Sequence, residues 1–106
     1  MKKILSVYEG RHEMPSCVEG GVFPQNVQID FNNLQALNHQ VHEYLKDCDE
    51  LDLYVTGLTV ALISITNYCI FNEIPCTLYH FDRDTGEYKP QRLAQPKMLP
   101  YYRDAI

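Results

Sequence analysis

The fold class this sequence predicts is an α/β domain, with a mostly parallel sheet of four to five strands and two main helices. Three observations lead to it. Leu51–Phe81 runs from strand-forming residues through a glycine turn and an apolar segment into a second strand, the order of a βαβ unit. Upstream, Leu34, Leu37, Val41, Tyr44, Leu45 and Cys48 recur at three- and four-residue spacing, which makes an amphipathic helix. Strand-like segments flank both helical segments, and alternation of strands with helices favours a parallel sheet.

In chain order, Lys3–Tyr8 alternates enough to form a first strand. Glu9–Gln25 contains Gly10, Pro15, Gly20, Gly21 and Pro24 and predicts a long loop, of the kind that serves as a binding element or lid. Asn26–Phe31 is expected as a second short strand. Asn32 or Asn33 then caps the first helix through a side-chain oxygen. Gln35, His39, Glu43, Lys46 and Asp47 face away from its apolar stripe, so this helix has one side in water. His39 and His42 lie three apart beside Glu43, but zinc needs at least three well-placed ligands, and no metal site is expected there.

Leu51–Thr56 is the third strand and Gly57 interrupts it. From Val60 to Phe71 nine of twelve residues are apolar, the exceptions being Ser64, Thr66 and Asn67. Val, Ile and Thr also suit strands, yet twelve residues are ordinary for a helix and long for a strand. The three polar residues fall at separate angles, so this second helix has no polar face and should be covered on both sides. The sheet covers one. The expected cover for the other is the same helix of a second copy, giving a homodimer; the alternative is cover by the N-terminal loop or the C-terminal tail. Asn72–Pro75 breaks the chain and Cys76–Phe81 reads as a strand. Asp82–Gly86 (DRDTG) has turn chemistry. Glu87–Lys89 should return as a short antiparallel edge strand that Pro90 stops. Residues 90–106 are expected as an extended tail of one domain spanning 1–106.

With 106 residues, 45% apolar and 22% charged, the composition is that of a soluble globular domain. No apolar run is long enough to span a bilayer, so no membrane association is expected. MKKILSVYEG meets a glutamate too early for a secretory signal. Cys17, Cys48, Cys69 and Cys76 have no metal-ligand spacing and are expected as reduced thiols in a cytoplasmic protein. A net charge of −5 excludes a general binder of duplex nucleic acid. The charge is uneven, however: from His12 through Asp82 the only Lys or Arg is Lys46, against ten acids. Basic residues gather toward the two ends, where a small anion would escape the acidic middle.

In parallel α/β sheets ligands bind beyond the carboxyl ends of the strands. Glu9-Gly10-Arg11-His12, Thr56-Gly57-Leu58-Thr59 and His80-Phe81-Asp82-Arg83 should meet there. The Thr56–Thr59 turn feeds a helix whose first N–H groups and partial positive charge suit phosphate. It is neither a P-loop nor GxGxxG.

The strand–TGLT–helix–strand–DRDTGEY arrangement, from about Leu51 to Tyr88, resembles small CRISPR-associated proteins with CARF-like (CRISPR-associated Rossmann) folds, including stand-alone ring nucleases. The resemblance implies a single Rossmann-like domain that forms a homodimer with cyclic oligoadenylate across its cleft. It implies phosphate binding by Thr56, Gly57, Leu58 and Thr59. It further implies antiviral ring-nuclease chemistry, in which a ribose 2′-hydroxyl attacks its own phosphate in line. Arg11, His12 and His80 are the residues able to assist, with Asp82 as orienter or base. Some relatives carry a histidine inside this helix; this chain does not, so the expected cleavage is metal-independent and needs no cofactor. Two alternatives stay open: a non-catalytic nucleotide sensor or sponge, and a protein-interaction module that binds no nucleotide.

Overall fold

In the computed structural model, which describes residues 1–10, 13–25, 28 and 30–94, the chain runs β1 (Lys2–Tyr8), β2 (Gly21–Phe23), α1 (Leu34–Leu45), β3 (Glu50–Tyr54), α2 (Thr59–Phe71), β4 (Cys76–Asp82) and β5 (Glu87–Arg92). The strands form one sheet in the order β2-β1-β3-β4-β5, parallel throughout except for the antiparallel β4–β5 pair. This is the expected α/β architecture, a single Rossmann-like domain. The direction of winding reverses between β1 and β3, the point where such sheets open a crevice.

Alternation along the strands sorts residues between the two faces. Leu5, Leu53 and Leu78 share one register row, and Leu51 pairs with Cys76; all are buried. Onto this face pack Leu37, Val41 and Leu45 of α1 and Ala61, Ile65 and Cys69 of α2, each fully buried. Burying one large apolar side chain contributes about 1.5–3 kcal/mol, so this single layer is the main stabilising element.

Among the described residues the opposite face carries no helix. Residues 13–20, the crossover from β1 to β2, lie against it instead. Cys17 Sγ is 3.7 Å from the Tyr54 hydroxyl and the Tyr88 hydroxyl reaches Met14 Sδ at 3.9 Å, while Glu19 N donates to Ile4 O at 2.8 Å along the edge of β1. A parallel sheet is normally covered on both faces, and here a loop stands where a crossover helix would. Lower on this face Asp52 pairs with Lys2 at 3.2 Å, which suits it to water.

Two predicted strands need correction. The second strand is not Asn26–Phe31 but Gly21–Phe23. Gln28, Asp30 and Phe31 are not in a strand, and Asn26, Val27 and Ile29 lie outside the described residues. One of the glycines that signalled a loop serves a different purpose: a Cβ at Gly21 would lie 2.6 Å from Glu9 N, so only glycine allows this close pairing. Phe31 packs its ring against Phe23 and Tyr8, with centroids 5.9 and 6.1 Å away. The fifth strand, in turn, does not stop at Pro90 but runs to Arg92. Leu93 N donates to Cys76 O, so Pro90, opposite Tyr79, falls in an alternate, non-hydrogen-bonded pair. Its missing N–H therefore points to the free edge, where proline is tolerated. Residues 90–92 of the predicted tail therefore belong to β5, and 95–106 lie outside the described residues.

Both helices form where expected, but of the predicted stripe on α1 Leu34 is 62% exposed and Cys48 lies beyond the helix end. Asn33 caps α1, its Oδ1 accepting from Ala36 N at 3.1 Å. On α2 one side is buried, whereas Ile63 and Phe71 stay 52% and 87% exposed, so the described part of one chain leaves its second side open. Cys48, Cys69 and Cys76 are buried and Cys17 is exposed. Among the described residues no helix is long and apolar enough to cross a membrane.

Candidate functional site

At the carboxyl end of β3 the chain makes a turn that its own side chains leave unfinished. Thr56 is 3% exposed, and its Oγ1 accepts from Tyr8 N at 3.3 Å, tying β3 to β1 across the winding reversal. The N-cap of α2 is Leu58, with φ 56° and ψ 72° and no side-chain hydrogen bond. Left-handed backbone costs a non-glycine residue about 1–2 kcal/mol. The Leu58 side chain, packed against the core, holds it there. Ala61 N and Leu62 N both donate to Leu58 O at 3.1 Å. Among the described residues nothing accepts from the N–H groups of Thr59 or Val60, and these orphan donors sit at the positive end of the helix.

Beside this turn opens a cleft of about 620 Å³. Val55, Thr56 and Gly57 line it from the β3 side. The β4–β5 hairpin supplies His80, Phe81, Arg83 and Tyr88, and the crossover loop adds Glu13. Arg83 gives the cleft a permanent cation. His80 is oriented by a 2.8 Å contact between its Nε2 and Gln91 Oε1; with the amide oxygen accepting, Nε2 carries the proton and Nδ1 keeps the lone pair. Glu13 brings a carboxylate to the same space, so the cleft is not uniformly positive.

An aromatic cluster builds the far wall. Tyr54 stacks on Tyr79 with centroids 4.8 Å apart, Tyr88 meets Tyr54 edge-on at 4.9 Å, and Phe81 meets Tyr88 at 5.3 Å. Burial first, then the contact with Cys17, pushes the Tyr54 phenol up to about 12, so it stays neutral at physiological pH.

Of the residues expected to act, Thr56, Gly57 and His80 line the cleft. Leu58 and Thr59 belong to the same turn but not to the lining, and Thr59 is the first helical residue rather than a cap. Asp82 is used otherwise: its Oδ1 accepts from Asp84 N at 2.9 Å and its carbonyl from Gly86 N at 2.8 Å, which makes it the hinge of the hairpin turn. Arg11 and His12 lie outside the described residues. The aromatic wall of Phe81 and Tyr88 was not anticipated; its signal is the alternation of β4 and β5, which places both rings in one cross-strand pair. Among the described residues no group of three His, Cys, Asp or Glu is placed to hold a metal.

Fold and cleft together define a Rossmann-like α/β domain with a mixed polar and aromatic site beyond the carboxyl ends of β3 and β4. Compared with protein-family models, curated proteins and solved structures, the chain matches none.

Proposed function

We propose that this protein binds a cyclic oligoadenylate at the carboxyl-end cleft, two copies facing each other across the ligand, and cleaves it without a metal, as a cytoplasmic ring nuclease of the CRISPR-associated kind. The observation that carries this reading is one cleft lined by Arg83, His80 and the Thr56–Gly57 turn, which leads directly into a helix without a side-chain cap. Unpaired N–H groups at a helix start and a guanidinium are complementary to phosphate. In the reaction a ribose 2′-oxygen attacks the adjacent phosphorus and the bond to the 5′-oxygen breaks, leaving a 2′,3′-cyclic phosphate and a 5′-hydroxyl. His80 Nδ1 takes the 2′-proton, water supplies the proton that completes the 5′-hydroxyl, and Arg83 with the turn leading into α2 stabilises the charge on the phosphoryl oxygens. Exposed Ile63 and Phe71 on α2 support the homodimer, since a second copy would cover them.

Incubation with cyclic tetra- and hexa-adenylate, followed by chromatography, tests the reading. Linear products ending in a cyclic phosphate are expected, and His80→Ala should retain binding while slowing their formation. Binding with no product leaves a sensor or sponge. A second reading, a protein-interaction module, draws on the same exposed Phe71. It predicts that no cyclic nucleotide raises the melting temperature.

A further inference from the structure

We infer that Phe81, backed by Tyr88, is the nucleobase subsite of the cleft, a flat aromatic surface that one base of the ligand stacks upon. The inference rests on the reading of the cleft as a nucleotide site and adds where the base goes. Phe81 is 53% exposed, while Tyr54, Tyr79 and Tyr88 of the same cluster are half-buried. Its ring ends a chain of aromatic contacts whose other members are packed against one another and half-buried. Tyr54 is held between Tyr79 and Tyr88, and the hydroxyls of Tyr54 and Tyr88 meet Cys17 and Met14. Tyr88 meets Phe81 edge-on rather than covering its face, and the Tyr88 hydroxyl is directed to Met14, so the exposed Phe81 ring is open at the wall of the cleft.

The composition of the cleft selects the ligand. Phe81 and Tyr88 offer apolar, planar surface, while Arg83, His80 and the turn at Gly57 offer charge and donors. A ligand matching both must join a flat apolar group to an anion, as a nucleoside phosphate does. The volume of about 620 Å³ exceeds what a bare phosphate fills and lies in the range of small-molecule sites, roughly 300–1,000 Å³. Every base has a π-face, so stacking of this kind adds affinity with little choice among bases. Phe81 accordingly sets how tightly a nucleotide binds rather than which base it carries.

The test uses the full chain and two probes that differ only by the base, adenosine 5′-monophosphate and ribose 5-phosphate, titrated by NMR with labelled phenylalanine. The adenine compound should bind more tightly and shift the Phe81 ring resonances. Phe81→Ala should weaken it by about tenfold or more, with ribose 5-phosphate held within about twofold and Phe81→Trp restoring the loss. Guanosine 5′-monophosphate should follow the adenine compound. Equal affinity of the two probes for the unmodified protein overturns the base subsite while leaving the anion site standing. Failure of both probes and of cyclic oligoadenylate to bind removes the nucleotide reading itself. If Phe81→Ala weakens both probes alike, or converts a dimer to monomers in sedimentation, the ring is packing surface and the inference fails.

Discussion

The two helices begin in opposite ways. Before α1, Asn33 sits in extended backbone at φ −102° and its side chain closes the first turn onto Ala36 N. Before α2, Leu58 is in left-handed backbone and its side chain makes no cap, being packed on the core, so only its carbonyl closes the first turn, accepting from Ala61 N and Leu62 N. Among the described residues the first two N–H groups of each helix lack an acceptor, so the helices differ in the cap itself: α1 has a side-chain cap, whereas α2 has none and follows directly on the Thr56–Gly57 turn that lines the cleft. Helix starts normally receive a cap worth about 0.5–2 kcal/mol. A start that forgoes the cap and adopts strained backbone matches the pattern of functional sites, where strain is held in place by surrounding packing.

The comparison breaks most visibly at Gly57. Gly57→Val puts a branched side chain into the lining of the cleft and should abolish binding of cyclic oligoadenylate. Calorimetry beside a melting curve separates this from unfolding. Arg83→Gln removes the permanent cation; a hydrogen bond to a charged group contributes about 1.5–3 kcal/mol, so affinity should fall by roughly tenfold to a hundredfold. The salt dependence of binding should flatten with it, as read from titrations at two ionic strengths. Asn33→Ala is the counterpart at the capped helix. It should lower stability by about 1 kcal/mol in denaturant unfolding and leave ligand affinity unchanged.

The smallest effect concerns pH. Tyr54, with its phenol raised to about 12 from 10.0, holds its proton more tightly in the folded chain than in the unfolded one. The stability it contributes is complete below about pH 10 and is lost as pH rises toward 12, because the unfolded state ionises first. Tyr54→Phe should make the fall in unfolding free energy over that range shallower than in the unmodified protein.

The elements buried by simple periodicity were legible in the sequence. The stripe of Leu37, Val41 and Leu45, the Asn33 cap and the apolar run that became α2 all follow from local pattern. Where a residue had two uses, the sequence misled. Gly21 signals a turn by composition, yet its role is close approach to Glu9, a long-range fact. Pro90 reads as a stop, but the register of β5 turns its nitrogen outward. The site divides along the same line. The Thr56–Gly57 turn and His80 were visible because a βα junction and a strand end place them. The diversion of Asp82 into the hairpin turn depended on which way its carboxylate faces, and the cap position of Leu58 on a backbone angle, neither of which spacing encodes.

The most direct measurement is an amide NMR titration with cyclic tetra- and hexa-adenylate, following the N–H groups at the two helix starts together. The account predicts saturable shifts at Thr59 and Val60, with Leu34, Gln35 and Ala36 of α1 unmoved. Binding that leaves Thr59 and Val60 unchanged, or shifts both helix starts alike, would contradict it, as would the absence of any shift up to saturating ligand.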